Sequence, residues 1–245
     1  MEKGYKRSRF KDKADLSRPP YPTMNLKDKN VLITGAGSGL GKALAIAAGQ
    51  MGAKVVCAGR RKDRIQQTAA EVTKAGGVGT AVEMDVTDLK SVEKGVKLAE
   101  KVGPIEILIN NAGIITGLKA VQELPIEEWD KIMATNVRGP YLLLRVILPG
   151  MIQRGFGRIV NISAPIKHLP KASAYCASKC ALDSLTKAVG YELKGVDVII
   201  NAVEPPFLDT EMHKGGKKPE EVVVQILELA ALDAGSQSGR IVKIV

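Results

Sequence analysis

Residues 30–51 restrict the fold more than any other part of the chain. Val31, Leu32 and Ile33 form a short apolar run, the pattern of a strand buried on both faces. Thr34 leads into Gly35-Ala36-Gly37-Ser38-Gly39-Leu40-Gly41, and residues 42–51 are rich in the helix formers Ala and Leu. A strand, a glycine-rich turn and a helix in this order build an anion site. The glycines let the backbone turn tightly and approach a phosphate, and the helix start offers free N–H groups at the positive end of its dipole.

Spacing discriminates among the motifs that use this device. A P-loop, G-x-x-x-x-G-K-[ST], aligned on Gly41-Lys42, meets Ala36 where it needs glycine and Ala43 where it needs a hydroxyl. The common G-x-G-x-x-G pattern ends on Leu40 from Gly35, or on Lys42 from Gly37. T-G-x-x-x-G-x-G fits, with Thr34, Gly35, Gly39 and Gly41. That spacing resembles the short-chain dehydrogenase/reductase family. The other reading is a turn that merely joins strand to helix.

The rest of the chain alternates between strand-like and helix-like segments with short connections. Strands are expected at 54–58, 79–84, 105–109, 158–162, 196–201 and 240–244. Helices are expected at 63–74, 89–102, 127–153 (bent at Gly139-Pro140), 174–193 and 219–232. Such alternation implies an α/β fold, a single-domain doubly wound Rossmann fold whose parallel sheet carries helices on both faces. It spans residues 25–245, and 245 residues suffice for one large domain of this kind.

The net charge of +10 is divided unevenly. Residues 1–24 carry seven Lys/Arg against three Asp/Glu, a net +4, and the remainder carries +6. With Pro19, Pro20 and Pro22 and little periodicity, this basic arm is expected to be flexible or draped over the surface. It lacks the apolar segment of a secretory signal, and Glu2, Asp12 and Asp15 argue against a transit peptide. No apolar run approaches a membrane span and no nucleic-acid-binding motif accompanies the charge, so neither partner is expected. Cys57, Cys176 and Cys180 are too scattered for a metal site or a disulfide framework, which favours a reducing, cytoplasmic location.

The second strand bears on the cofactor. A NAD-preferring Rossmann site carries an acid about 20 positions after the glycines. Here that place falls on Gly59, followed by Arg60-Arg61-Lys62. Guanidinium groups suit a phosphate dianion, so NADP(H) is expected over NAD(H). A solvated start to the next helix would account for the same residues.

Further motifs extend the resemblance over roughly residues 25–245. Met84-Asp85-Val86 resembles the family's adenine-binding segment, Asn110-Asn111-Ala112-Gly113 its N-N-A-G, and Tyr175-Cys176-Ala177-Ser178-Lys179 its Y-x-A-S-K. Asn136 falls where the family keeps a catalytic asparagine, and Pro205 with Thr210 resembles the segment over the nicotinamide, Pro206 replacing its glycine. The resemblance thus implies cofactor contacts from Gly35, Ser38, Gly39, Leu40, Gly41, Arg60, Arg61, Asp85, Val86, Asn111, Ala112, Gly113, Tyr175, Lys179, Pro205 and Thr210.

Tyr175 and Lys179 are four apart and share a helix face. A nearby ammonium favours phenolate, and lowering the phenol by about three units takes roughly 4 kcal/mol, which a close charge together with the oxidised nicotinamide can supply. Tyr175 would then exchange the proton while hydride moves between NADP(H) and a carbonyl or secondary alcohol. By resemblance, Lys179 also holds the nicotinamide ribose and Asn136 orders a relay water. The family's N-x-S-S appears as Asn161-Ile162-Ser163-Ala164, so alanine stands at the second serine. Ser163 is then the candidate that holds the carbonyl oxygen, a structural hydroxyl being the alternative, and Ser173 reads as a helix N-cap. Ala164 and Pro206 also leave open a protein on this fold that binds nucleotide without catalysis.

Two expectations concern surfaces. The family forms dimers and tetramers through its two long helices, here with Leu142, Val146 and Met151 as the apolar row. The link from Thr210 to Pro219 is short, and with Gly215-Gly216 among Lys214, Lys217 and Lys218 it is expected to be flexible and to leave the substrate cleft open.

Overall fold

The computed structural model describes residues 26–244. The basic arm and the expectation of its flexibility lie outside these residues. Seven strands form one parallel sheet: β1 (Asn30–Thr34), β2 (Lys54–Gly59), β3 (Val78–Glu83), β4 (Ile107–Asn110), β5 (Gly157–Ile162), β6 (Val198–Glu204) and β7 (Ile241–Lys243). Their order is β3-β2-β1-β4-β5-β6-β7, with β1 paired to both β2 and β4. The order reverses between β1 and β4, which opens a crevice at the C-terminal ends of the strands.

The period of two along each strand divides the core. Val31, Ile33, Val55, Cys57, Ile107 and Ile109 face one apolar layer, with α1 (Gly39–Gln50), α2 (Lys62–Lys74) and α7 (Val223–Ala230). Leu32, Val56, Ala58 and Leu108 face the other, with α3 (Leu89–Ala99), α5 (Gly139–Arg154) and α6 (Ser173–Glu192). A strand buried on both sides has no use for polar alternation, hence the unbroken apolar runs.

Several boundaries differ from expectation. The stretch expected as one helix from 127 to 153 is α4 (Ile126–Met133), a π-helical turn at Ala134–Arg138, and then α5. The irregularity lies just before Gly139-Pro140, where the backbone stays helical from α4 into α5 and Pro140 supplies no N–H to continue the regular ladder. β6 begins two residues late and runs on to Glu204, because β7 pairs with Ala202, Val203 and Glu204. The last helix breaks into a 3₁₀ turn at Pro219–Glu221 and α7. Ser173 is not an N-cap: Ala172 holds that position, and the buried Ser173 hydroxyl has no protein partner.

Candidate active site

The glycine-rich turn leaves the buried end of β1 and enters α1 directly. Gly35 (φ 66°) and Gly39 (φ 51°) adopt backbone that side chains rarely tolerate. A Cβ on Gly41 would strike the Gly35 carbonyl and the Asn111 amide, so glycine is required there by packing. Leu40 is buried beneath the turn. Asn111 and Ala112 clamp the turn from β4. Their N–H groups donate to Thr34 Oγ1 (3.1 and 3.0 Å), and Asn111 Nδ2 donates to the Thr34 carbonyl (2.9 Å). The first-turn amides of α1 thereby face the crevice as a rigid group. This cradle suits the phosphates of a dinucleotide.

At the β2 end, Gly59 occupies the strand terminus as expected. Arg60 lies 4.0 Å from Asp85 Oδ2. Asp85 follows β3, and its Oδ1 accepts from the Thr87 amide (2.9 Å) and hydroxyl (2.8 Å). Burial alone would raise this carboxyl, but the two Thr87 bonds and Arg60 outweigh it and hold the group below the ordinary range. Val86 is buried and packs against Gly139 at the start of α5. Arg61 reaches elsewhere: Nη2 donates to Ser38 Oγ (2.8 Å), and Nη1 pairs with Glu211 (3.0 Å).

Asn136, Lys179 and Gly113 meet at the centre of the crevice. A Cβ on Gly113 would lie 3.4 Å from Asn136 Oδ1 and 3.5 Å from Lys179 Nζ. Asn136, in the π-helical turn, exchanges hydrogen bonds with the Ile114 backbone: Oδ1 accepts at 2.8 Å and Nδ2 donates at 2.9 Å. Nδ2 also donates to Ser178 Oγ (3.0 Å), whose own proton goes to the Tyr175 carbonyl (2.7 Å). The wider turn aims Asn136 inward, a common use of π-turns at functional sites. Lys179 is buried, donates to the Ile162 carbonyl (2.8 Å), and lies 5.7 Å from the centre of the Tyr175 ring.

The electrostatics differ from expectation here. Burial pulls the Lys179 ammonium down to about 8, with Lys167 adding to the effect and Asp183 opposing it. Burial pushes the Tyr175 phenol up to about 12 rather than down. The cause is the burial of the phenol itself, which strips the phenolate of its hydration.

Ser163 lies at the end of β5, and its proton is donated to Asp183 Oδ1 (2.6 Å). Lys167 donates to Ser163 Oγ (3.0 Å) and forms ion pairs with Asp183 (2.6 Å) and Glu204 (3.1 Å), so all three ammonium protons have partners. Burial would lower Lys167, but its bonds to Asp183 and Glu204 raise it above the usual lysine range. Sequence reasoning missed this cluster. Asp183 stands one turn beyond Lys179 on the Tyr175 face, a signal that was available; Lys167 and Glu204 carry none. Ala164 is buried.

Pro205 is buried beyond β6, and the segment after it is not a loose link. Residues 207–218 are knit by Asp209 N–H to the Lys217 carbonyl (2.8 Å), Thr210 N–H to the His213 carbonyl (2.8 Å) and Lys217 N–H to the Phe207 carbonyl (2.9 Å). Gly215 (φ 86°) and Gly216 (φ 100°) shape this turn rather than loosen it. The segment folds down on the glycine-rich turn, where Thr210 Cγ2 would lie 3.2 Å from a Cβ on Gly39.

The face expected for self-association also changes. Leu142 and Met151 are buried in the chain's own core, and Val146 packs against it. What faces outward is Tyr141, beside a shallow depression of about 430 Å³ lined by Met133, Val137 and Leu185. Among the described residues no helix is long and apolar enough to cross a membrane. The three cysteines are free, and the described residues hold no cluster suited to a metal.

Comparison with known proteins agrees with this geometry. Residues 29–221 match the model of the short chain dehydrogenases. A NAD-dependent glycerol dehydrogenase of Listeria innocua is 37% identical over 78% of this chain and 74% of its own. A 3-oxoacyl-(acyl-carrier-protein) reductase of Thermotoga maritima is 32% identical over 90% of this chain and 98% of its own. Two crystal structures superpose closely. A short-chain dehydrogenase/reductase from Mycobacterium marinum has a TM-score of 0.84 at 31% identity, covering 90% of this chain and 95% of that one. A 3-ketoacyl-(acyl-carrier-protein) reductase from Brucella melitensis, complexed with NADH, gives 0.83 at 29% identity, covering 90% and 98%.

Proposed function

We propose, from the premise that this chain belongs to the short-chain dehydrogenase family of nicotinamide-dependent oxidoreductases, that it is an NADP(H)-dependent carbonyl reductase or alcohol dehydrogenase. The observation that carries this reading is the meeting of Asn136 and Lys179 at Gly113, beside Tyr175 and next to the phosphate cradle. The glycine-rich turn, Asn111, Ala112, Gly113, Pro205 and Thr210 would hold a nicotinamide cofactor, which would supply or take the hydride. The chain handles the proton.

Tyr175 is protonated at neutral pH, the form a carbonyl reduction needs in a proton donor, whereas alcohol oxidation would need it ionised. Lys179 supplies positive charge as the proton leaves, and Asn136 holds the Ile114 backbone and the Ser178 hydroxyl in register with them. Ser163 is the candidate for holding the carbonyl oxygen, a role that requires its O–H to turn from Asp183 toward the substrate. Gly59 and the two arginines after it support the phosphorylated cofactor. A cytoplasmic location and a dimer or tetramer formed through the outward face around Tyr141 complete the proposal.

The test is oxidation of NADPH and NADH over a panel of a small ketone, a 3-oxoacyl thioester and a steroid ketone, for the parent and Tyr175→Phe. NADPH-dependent turnover that falls about 10²–10⁴-fold in the variant is expected. Turnover that survives the change would remove Tyr175 from its role. The engaged proton of Ser163 favours a second reading, a nucleotide-binding protein without catalysis, and tight NADPH binding with no turnover on any member of the panel would select it. Arg60→Ala should narrow the NADPH preference by about 1.5–3 kcal/mol.

A further inference from the structure

Arg61 and Ser38 form an anion seat beside the phosphate cradle, and a carboxylate of the chain itself fills it. Arg61 Nη1 stands 3.0 Å from Glu211 Oε2, while Nη2 donates to Ser38 Oγ at 2.8 Å. Glu211 is ionised, its carboxyl lowered first by the hydrogen bond from Arg61 and then by that residue's charge. Its position is set by the fold of the segment. Thr210 rests on Gly39, Met212 N–H donates to Thr210 Oγ1 (3.2 Å), and Gly215 N–H donates to Asp209 Oδ1 (3.2 Å).

The pair contributes little to stability. Both side chains are about half exposed, and solvent-exposed pairs of this kind are weak. Its consequence lies in what Arg61 must give up to hold another anion. A dianionic phosphate on the ribose 2′ position competes with the carboxylate for the same guanidinium and is repelled by it. A cofactor with a bare 2′-hydroxyl leaves the pair in place. The cost therefore falls on one cofactor and not on the other.

We infer that Glu211 is a cofactor-specificity residue, an internal competitor for the phosphate that Arg61 would bind, which tempers the preference for NADP(H). This rests on the NADP(H) reading above. It also ties cofactor identity to the substrate side, since the phosphorylated nucleotide releases one tether of the segment over the cleft and the unphosphorylated one does not.

The experiment is direct titration of Glu211→Gln and Glu211→Ala with NADPH, NADH, 2′-AMP and 5′-AMP, followed by nucleotide or protein fluorescence. NADPH and 2′-AMP should bind about 3–10-fold tighter, NADH and 5′-AMP should stay within about twofold, and raised salt should shrink the gain. In an Arg61→Ala background the same changes should give less than about a twofold gain, since only the direct repulsion between carboxylate and phosphate is then relieved. Equal tightening of all four ligands would make Glu211 a simple obstruction and overturn the inference. So would weaker binding of NADPH, which would make Glu211 an orienting partner of Arg61, and so would no change at all. The two readings fail separately. If the parent binds NADPH and NADH alike and Arg60→Ala is silent, the cofactor assignment is wrong, while 2′-AMP still reports on Glu211. If NADPH is preferred and Arg60→Ala erodes that preference but the Glu211 variants are silent, only the inference is lost.

Discussion

The two halves of the crevice are built differently. On the nucleotide side, β1, the glycine-rich turn and the start of β4's loop are fixed by backbone contacts: glycines with left-handed φ, and Asn111 bonded to the Thr34 carbonyl. On the substrate side, the ends of β5 and β6 and the middle of α6 are held by charge, with Lys167 bridging Ser163, Asp183 and Glu204. Backbone geometry admits few substitutions. A charge cluster admits many, provided its members change together. The first half carries the T-G-x-x-x-G-x-G and N-N-A-G motifs unchanged, whereas the second keeps Tyr175 and Lys179 but has Ala164 in place of a serine.

The largest effect that would test this contrast is at Gly41. Gly41→Val forces a side chain into the Gly35 carbonyl and the Asn111 amide. A cost of about 2–4 kcal/mol in chemical denaturation is expected, with nucleotide binding weakened beyond about 100-fold. A variant that binds nucleotide normally would show that the cradle is less rigid than its contacts imply.

On the other side, Lys167→Met leaves Asp183 and Glu204 facing each other without their cation. Removing one member of a buried pair costs about 3–5 kcal/mol, and because these side chains keep some exposure (21, 14 and 15%) about 1–3 kcal/mol is expected. Nucleotide affinity should not move. Paired loss of stability and nucleotide binding would mean that the halves are coupled, and the contrast would fail.

The same contrast decides what the sequence discloses. The glycine turn, N-N-A-G and the Tyr175/Lys179 pair lie within short windows, where spacing alone dictates geometry. The sheet is equally plain, since strands such as Val31-Leu32-Ile33 are buried on both faces. The Arg61–Glu211 contact joins residues 150 positions apart, and no spacing rule reaches that far. Nor does periodicity disclose the π-helical turn, or that Asn136 within it bonds the Ile114 backbone. The upward shift of Tyr175 is not legible in the sequence, because it comes from the depth at which the phenol itself is buried.

That burial makes folding stability depend on pH. Lys179 has a folded value of about 8 against an ordinary 10.5, so the folded state disfavours its protonated form. The penalty is full below pH 8 and fades as pH rises toward 10.5, a gain of order 2–3 kcal/mol. Tyr175 runs the opposite way. Its folded value of about 12 exceeds the ordinary 10.0, so above pH 10 ionisation of the unfolded chain draws stability down. Cys57, whose buried thiol is pushed up from 9.0 to about 12, draws stability down in the same way from pH 9. Urea midpoints should therefore rise between pH 8 and 9 and turn over beyond. Lys179→Met should remove the rise but keep the turnover. A rise that persists in this variant would assign it to other groups.

The smallest expected effect concerns the basic residues of the segment over the cleft. Lys214, Lys217 and Lys218 are exposed on a segment knit by its own hydrogen bonds within residues 207–218. Charges in that position steer an anion without binding it firmly, and salt screens them over about 8–10 Å. Changing all three to Ala should lower kcat/KM for an anionic ketone by no more than about threefold at low salt. The difference should vanish near about 0.5 M salt, and a neutral ketone of the same shape should be unaffected. The size of the effect separates two roles for the segment. A loss well beyond threefold that resists salt would mean that a lysine contacts the substrate, making the charges of the segment part of the pocket. A small, salt-sensitive loss leaves the segment to act through Thr210 and Glu211, on the side of the crevice that binds the nucleotide.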